Sequence, residues 1–276
     1  MNTVATITWL TFHEARRRSM VLIALVLGAA FVILFGIGFA LIKGELDRPG
    51  VSAPERNVSY NFLLIAGLYV VHFLTIMLAI FSSVGTVAGE IASHTIQAIV
   101  TKPVRRWQVI LGKWLGHAAM IIVYLGLLSG SILLVVYLLV GYAPPNLLQG
   151  LPLLGLETLV LLSLSLLGGT RLSTLTNGVA LFMLYGLAFI GAWVEQIGAL
   201  IQSPAAVRVG IITSLVLPVE ALWRRAAYLM QPPITRSLPS PFSTASVPSP
   251  AMVVYAALYA LIALLLAMRA FSRRDL

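Results

Sequence analysis

Long runs without a charged residue alternate with short polar breaks along this chain. A spanning helix needs about 20 predominantly apolar residues. Read against that length, the charge-free runs predict spans at 19–42, 60–88, 115–140, 151–169, 178–201 and 250–268. The third and fourth come from one stretch too long for a single helix, divided at Gly141-Tyr142-Ala143-Pro144-Pro145-Asn146, a strong turn signal. The polar stretch Arg171 to Asn177 separates the fourth span from the fifth. The first span is too long for a signal peptide and no small-residue cleavage site follows it, so it reads as retained.

The polar breaks carry their own patterns. In residues 1–18, Val4, Ile7, Leu10 and Thr11 share a helical face, with arginines following, which predicts a helix lying in the membrane interface. In 89–113, Ile91, Thr95, Ala98 and Ile99 have helical spacing, Pro103 stops that helix, and a second helix leads through Trp107 and Ile110 into the third span. An amphipathic helix followed by a basic turn is either a docking surface for a partner or a solvated connection. In 202–249, the apolar run 207–217 is too short to span. Pro218 then opens a helix with Glu220 in its first turn. Val219, Leu222, Trp223, Ala226 and Met230 share one face, which predicts an amphipathic helix at the surface, with a re-entrant apolar partner before it. The Pro/Ser tract from Gln231 to Pro250 predicts irregular chain.

Composition agrees with a membrane protein. The chain is 59% hydrophobic and 10% charged, against about 25% charged in ordinary soluble domains. This excludes a soluble enzyme, a disordered chain and a nucleic-acid binder; the net charge of +9 instead flanks the spans. Lys and Arg concentrate at 16–18, 102–113, Arg171 and 269–274, and the positive-inside rule places that side, with both termini, in the cytoplasm. The fold class expected is all-α integral membrane, a single transmembrane domain over 1–276 with the lipid bilayer as its surroundings.

Chemistry-bearing motifs are scarce. The pair Gly112-Lys113 is followed by Trp114, with Trp107 five residues before Gly112, so this chain has no phosphate-binding loop and no expected catalytic or cofactor-binding residue. Gly126-Leu127-Leu128-Ser129-Gly130 reads as small-residue helix packing rather than a serine nucleophile. His13, His72, His94 and His117 lack metal-ligand spacing, and with no cysteine in the chain no metal site is expected. Three ionisable groups lie inside spans: His72, Glu157 and Glu195. Such groups are costly and mark pathways or cavities. Glu157 and Glu195, near the outer ends, either snorkel to the outer interface or line a polar cavity opening outward.

Gly89-Glu90, Thr95-Ile96, Pro103-Val104-Arg105-Arg106, Leu111-Gly112-Lys113 and the ending Phe271-Ser272-Arg273-Arg274-Asp275-Leu276 occur in an order and spacing that resemble the membrane-spanning permeases of ABC transporters, type-2 family, with the type V exporter fold. The resemblance covers essentially the whole chain. It implies an elbow helix at 3–18, a coupling helix at 91–102 seated in a separate ATPase subunit, and outer re-entrant helices at 205–230. It also implies a second permease chain, identical or a paralogue, in the bacterial plasma membrane. ATP would be bound and hydrolysed by the partner, and this chain would couple that hydrolysis to transport, export being the direction expected. The coupling residues implied are Glu90, Ser93, His94, Gln97, Pro103, Arg105 and Arg106, with His72, Glu157 and Glu195 as possible polar residues of the pathway. A proton-driven secondary transporter using the intramembrane carboxylates is the alternative that six spans permit.

Overall fold

The computed structural model describes residues 3–17, 19–92, 105–236 and 246–274. Every regular element among them is helical: α1 (Thr3–Arg17), α2 (Ser19–Leu46), α3 (Ala53–Ala92), α4 (Arg106–Val140), α5 (Leu147–Gly169), α6 (Thr174–Leu200), α7 (Pro204–Val216), α8 (Val219–Leu229), α9 (Pro233–Arg236) and α10 (Pro250–Ser272). Among the described residues, six helices are long and apolar enough to cross a membrane: α2, α3, α4, α5, α6 and α10. In lipid, each backbone N–H and C=O has to be satisfied within its own segment, and the helix does so.

Several helices run past the charge-free stretches. The helix predicted over 60–88 extends across 40 residues, about 60 Å at 1.5 Å per residue, roughly twice the hydrocarbon thickness. It begins where Ser52 and Glu55 form a reciprocal cap: the Ser52 N–H donates to Glu55 Oε2 at 2.9 Å and the Glu55 N–H donates to Ser52 Oγ at 3.4 Å. The helix predicted over 115–140 already begins at Arg106. Charges bound the hydrocarbon-embedded part of a helix and do not end the helix itself. α4 stops at Gly141, whose φ of 67° is left-handed and whose N–H donates to the Tyr137 carbonyl at 2.8 Å.

α5 sits at the centre, with 67% of its apolar window buried inside the protein, and α3 follows with 61%; α2, at 11%, stands at the periphery. The core joins Leu64, Leu68, Ile76 and Ile80 of α3, Ile110, Ile121 and Ile132 of α4, Leu154 and Leu161 of α5, and Phe271 of α10.

The interfacial helix is seated by contact with α4. Ile7, Thr11 and Ala15 meet it, Thr11 and Ala15 being buried, whereas Leu10, expected on the same face, is exposed beside Trp9. The reason is spacing: 7, 11 and 15 recur every four residues, and Leu10 sits one step off that row. α4 presents Gly112 and Gly116, one turn apart. A Cβ on Gly116 would lie 2.7 Å from Thr11 Cβ and 2.9 Å from the Thr8 carbonyl oxygen.

The segment after α6 corrects a sequence expectation. α7 and α8 are bent by 108° about Leu217 and Pro218. α8 does not lie on an outer surface with one face wet. Val219, Glu220, Ala221, Leu222, Trp223, Arg224, Ala226 and Ala227 are all buried, so its polar face is turned inward as well. Pairing of those charges, described below, is what makes the burial tolerable. The tract after it holds one turn of helix, α9, where irregular chain was expected; 237–245 lie outside the described residues.

Gly116→Leu should detach α1 from α4, because the atoms it would strike include a main-chain carbonyl that has no rotamer to yield. The expected loss is about 1–3 kcal/mol. It is read as a lower unfolding temperature of the detergent-solubilised protein, and wild-type stability would show that the close approach is absent.

Candidate coupling site and buried polar stations

At the end of α3 that leads into 93–104, Glu90 meets Lys113 of α4, the Lys113 ammonium donating to Glu90 Oε1. Lys113 is buried and Glu90 half-buried. A lysine so placed is stable only beside a counter-charge. One turn further along α4, His117 joins the helices: its Nδ1 is 3.0 Å from the Lys113 carbonyl, and its Nε2 is 3.1 Å from both the Thr86 hydroxyl and the Ser82 carbonyl of α3. Thr11, Glu14 and Ala15 of α1 close the same junction. Three helices therefore converge where the chain leaves and re-enters around 93–104.

The other predicted coupling residues divide. Ser93, His94, Gln97 and Pro103, with the helix expected at 91–102, lie outside the described residues. Arg105 is exposed at the N-cap of α4, where its N–H donates to Gln108 Oε1 at 3.1 Å. Arg106 turns back to the last helix and donates to the main-chain carbonyls of Ser272, at 3.5 Å, and Arg274. The Arg274 guanidinium in turn reaches the Thr170 carbonyl beyond α5.

The intramembrane residues form two stations around α8. In the first, His72 of α3 stands between two carboxylates: Nδ1 is 2.5 Å from Glu157 Oε1 on α5, and Nε2 is 3.4 Å from Glu220 Oε1 on α8. The imidazole stacks against Tyr69 at 5.6 Å and lies 5.0 Å from the Trp223 ring. In the second, Glu195 of α6 takes Arg224 of α8 in two contacts, of 2.7 and 2.8 Å. Arg224 also donates to Ser214 Oγ at 3.2 Å, and the Ser246 hydroxyl donates to Glu195 Oε1 at 2.6 Å. Side-chain amides hold the C-terminal end of α8: Asn61 donates to the Met230 carbonyl at 3.0 Å and Asn146 to the Leu229 carbonyl at 3.2 Å.

Snorkelling of Glu157 and Glu195 is thereby overturned. Both carboxylates are buried, at 0% and 3% exposure, and both have partners inside the protein. Sequence reading missed Arg224 as the partner of Glu195, Glu220 as a second carboxylate on His72, and Lys113 as the partner of Glu90. The available signal was the four-residue spacing of Glu220 and Arg224 within an otherwise apolar stretch, which places both on one helical face. It was read as a wet face because surface helices show the same pattern.

The class defined by this geometry is a multi-pass membrane protein whose polar groups are internal ties between helices. The chain matches the ABC-2 family transporter protein profile over residues 5–276, and it belongs to that family. It is the permease subunit of an ABC transporter, a membrane-embedded part that partners an ATP-binding-cassette ATPase subunit. A search of curated proteins gives no significant match.

Removing one partner of the second station leaves a buried, unpaired charge. Arg224→Ala should destabilise the protein by about 3–5 kcal/mol. Combining it with Glu195→Ala should restore much of that loss, because the stranded carboxylate goes too. A double-mutant cycle on unfolding temperature and on yield from membranes measures it; simple additivity would mean that the pair does not interact.

Proposed function

We propose that this permease couples ATP hydrolysis on its ATPase partner to export across the plasma membrane, through the 89–113 segment, with both termini cytoplasmic. The observation that carries the reading is the Glu90–Lys113 pair, which ties the helix entering that segment to the helix leaving it. A push delivered to 93–104 then moves α3 and α4 together instead of bending the connection. Because α1 is packed on α4 beside the same pair, it moves with them. The chain itself catalyses nothing in this scheme: ATP is bound and hydrolysed by the partner, and the permease converts the closure of that partner into a rearrangement of rigid helices.

A second permease chain, identical or paralogous, completes the pathway. Two features support this. α2 leaves Leu22, Val26, Ile33, Leu34, Ile37 and Leu41 exposed along its length. Beside it, an apolar groove of about 760 Å³ opens between α2, α3 and α6, lined by Met20, Phe81, Val84, Gly178 and Phe182 among others. A Cβ added at Gly38 would meet no atom within 4 Å, which leaves room for another helix to approach.

Glu90→Ala should uncouple rather than unfold. The protein inserts and is recovered in normal amount, while transport and substrate-stimulated ATP hydrolysis fall together. The charge exchange Glu90→Lys with Lys113→Glu should recover a substantial part of both. Normal coupling in Glu90→Ala would remove the pair from the mechanism. For the second chain, Gly38→Cys introduces a lone thiol into a chain that has no cysteine. A disulfide-linked dimer should form on oxidation in native membranes; a monomer that still transports would sink the two-chain pathway.

A further inference from the structure

We propose that the station formed by His72, Glu157 and Glu220 is a proton-binding site: one proton, beyond that on the imidazolium, is carried by one of the two carboxyls that flank the ring, and fastens α8 to α3 and α5.

The inference rests on charge and geometry. The three side chains are buried to 0%, 0% and 3% exposure, and they come from three different helices. His72 contacts both carboxylates, one through each ring nitrogen. With His72 protonated and both carboxylates ionised, the station carries one negative charge in excess; with His72 neutral, it carries two. The neighbouring cation on α8, Arg224, is committed to Glu195 by two contacts, so it offers no compensation. An uncompensated charge inside a membrane bundle is costly, and protonation of one of two carboxyls that compete for a single cation relieves that cost.

Unused valences point the same way. Glu157 Oε2 is buried without a hydrogen-bond partner, Glu220 Oε1 has only the 3.4 Å contact with His72 Nε2, and the hydroxyl of Tyr185 stands against Glu220 from α6. A carboxyl that carries the proton becomes a donor, and a protonated Glu220 can then donate to the hydroxyl oxygen of Tyr185. The other groups facing the station are Tyr69 of α3 and, from α8 itself, the uncharged indole of Trp223. Tyr69 and Tyr185 are neutral phenols at ordinary pH and add no positive charge.

The site has a direct consequence for α8. While the proton is held, Glu220 and Glu157 are drawn to His72 from opposite sides. When the proton leaves, the two carboxylates repel across the imidazole, and the helix carrying Glu220 is loosened. The hold on α8 is therefore strongest at low pH and weakens as pH rises through the titration of the site. The proton released goes to whichever face hydrates Glu220 as α8 moves.

The test uses the full-length permease in phosphatidylcholine vesicles, without the ATPase, so its outcome is independent of the coupling scheme above. Infrared difference spectra in H₂O and D₂O should show a protonated-carboxyl band at neutral pH. The band should be lost in both Glu157→Gln and Glu220→Gln, where a single carboxylate faces His72. In His72→Gln it should grow, because both carboxyls then take a proton. The two near-isosteric glutamine variants decide the matter if the histidine variant does not fold. No band in the wild type at neutral pH, or a band that survives in both glutamine variants, overturns the site. The fastening role is read separately. Ala226 is fully buried on α8 and the chain has no cysteine, so Ala226→Cys reports the exposure of that helix to a water-soluble maleimide. Divided by the rate of free cysteine with the same maleimide at each pH, which removes the ionisation of the thiol itself, labelling should quicken several-fold as pH is raised and be independent of pH once Glu157→Gln is added. A flat profile in the otherwise wild-type chain, or an unchanged profile in the double variant, overturns it.

Discussion

A charged side chain inside a membrane bundle is stable only beside its counter-charge, and α8 is built around that constraint. Glu220 and Arg224 sit one helical turn apart and point into the protein, one toward α3 and α5, the other toward α6. A helix of eleven residues is too short to cross the bilayer, and Val219, Leu222, Trp223 and Ala226 pack it into the core. Its position is further specified by two ties with different chemistries, and by Asn61 and Asn146 gripping the carbonyls at its C-terminal end. Removing either tie strands a charge, so the helix occupies one place and not a range of them.

The same constraint recurs at the opposite end of α3. Lys113 is as buried as Arg224, and its partner Glu90 is the first carboxylate met after the long uncharged run of α3. Here the pair spans a gap in the chain rather than a gap between distant helices. α1 lies across it because Gly112 and Gly116 remove the side chains that would hold the interfacial helix off. Arg106 and Arg274 stitch the neighbouring helix ends together through main-chain carbonyls, which suit guanidinium donors when no carboxylate is at hand.

Much of the fold was legible in the sequence, because span number follows from charge-free length and helix breaks follow from Gly and Pro. What was not legible shares one cause. Sequence reports how far along a helix a residue sits, but its rotation about the axis depends on the neighbours. Glu157 and Glu195 were placed at plausible depths and read as reaching for water, whereas their azimuth turns them to His72 and Arg224. α8 has the pattern of a surface helix, and only a partner supplied by α3, α5 and α6 reveals that the polar side faces inward. Leu10 looked like part of a buried face for the same reason: Ile7, Thr11 and Ala15 define the row that meets α4.

α3 connects the two regions. His72 and Glu90 are eighteen residues apart, which is about five turns at 3.6 residues per turn, so they stand on the same face roughly 27 Å from each other. Thr75, Ser82, Ser83 and Thr86 fall between them and are buried. Three of these hydroxyls donate to carbonyls of α3 itself: Thr75 to Val71 at 2.7 Å, Ser83 to Ala79 at 2.6 Å and Thr86 to Ser82 at 3.1 Å. Bonds of that kind satisfy a hydroxyl in lipid without committing it to a neighbouring helix. Fastening between helices is thus concentrated at the ends of the stripe, at His72 with Glu157 and at Glu90 and Thr86 with Lys113 and His117; Ser83 with Ser165, at 2.7 Å, is the one hydroxyl pair between them. No proline interrupts α3 after Pro54, and the hydroxyls bonded to carbonyls four residues back are what would bend it. α3 thus carries one set of fastenings at its midpoint, around His72, and another near its last turn, around Glu90. The residues that border 93–104 and those that hold α8 therefore stand on one continuous helix.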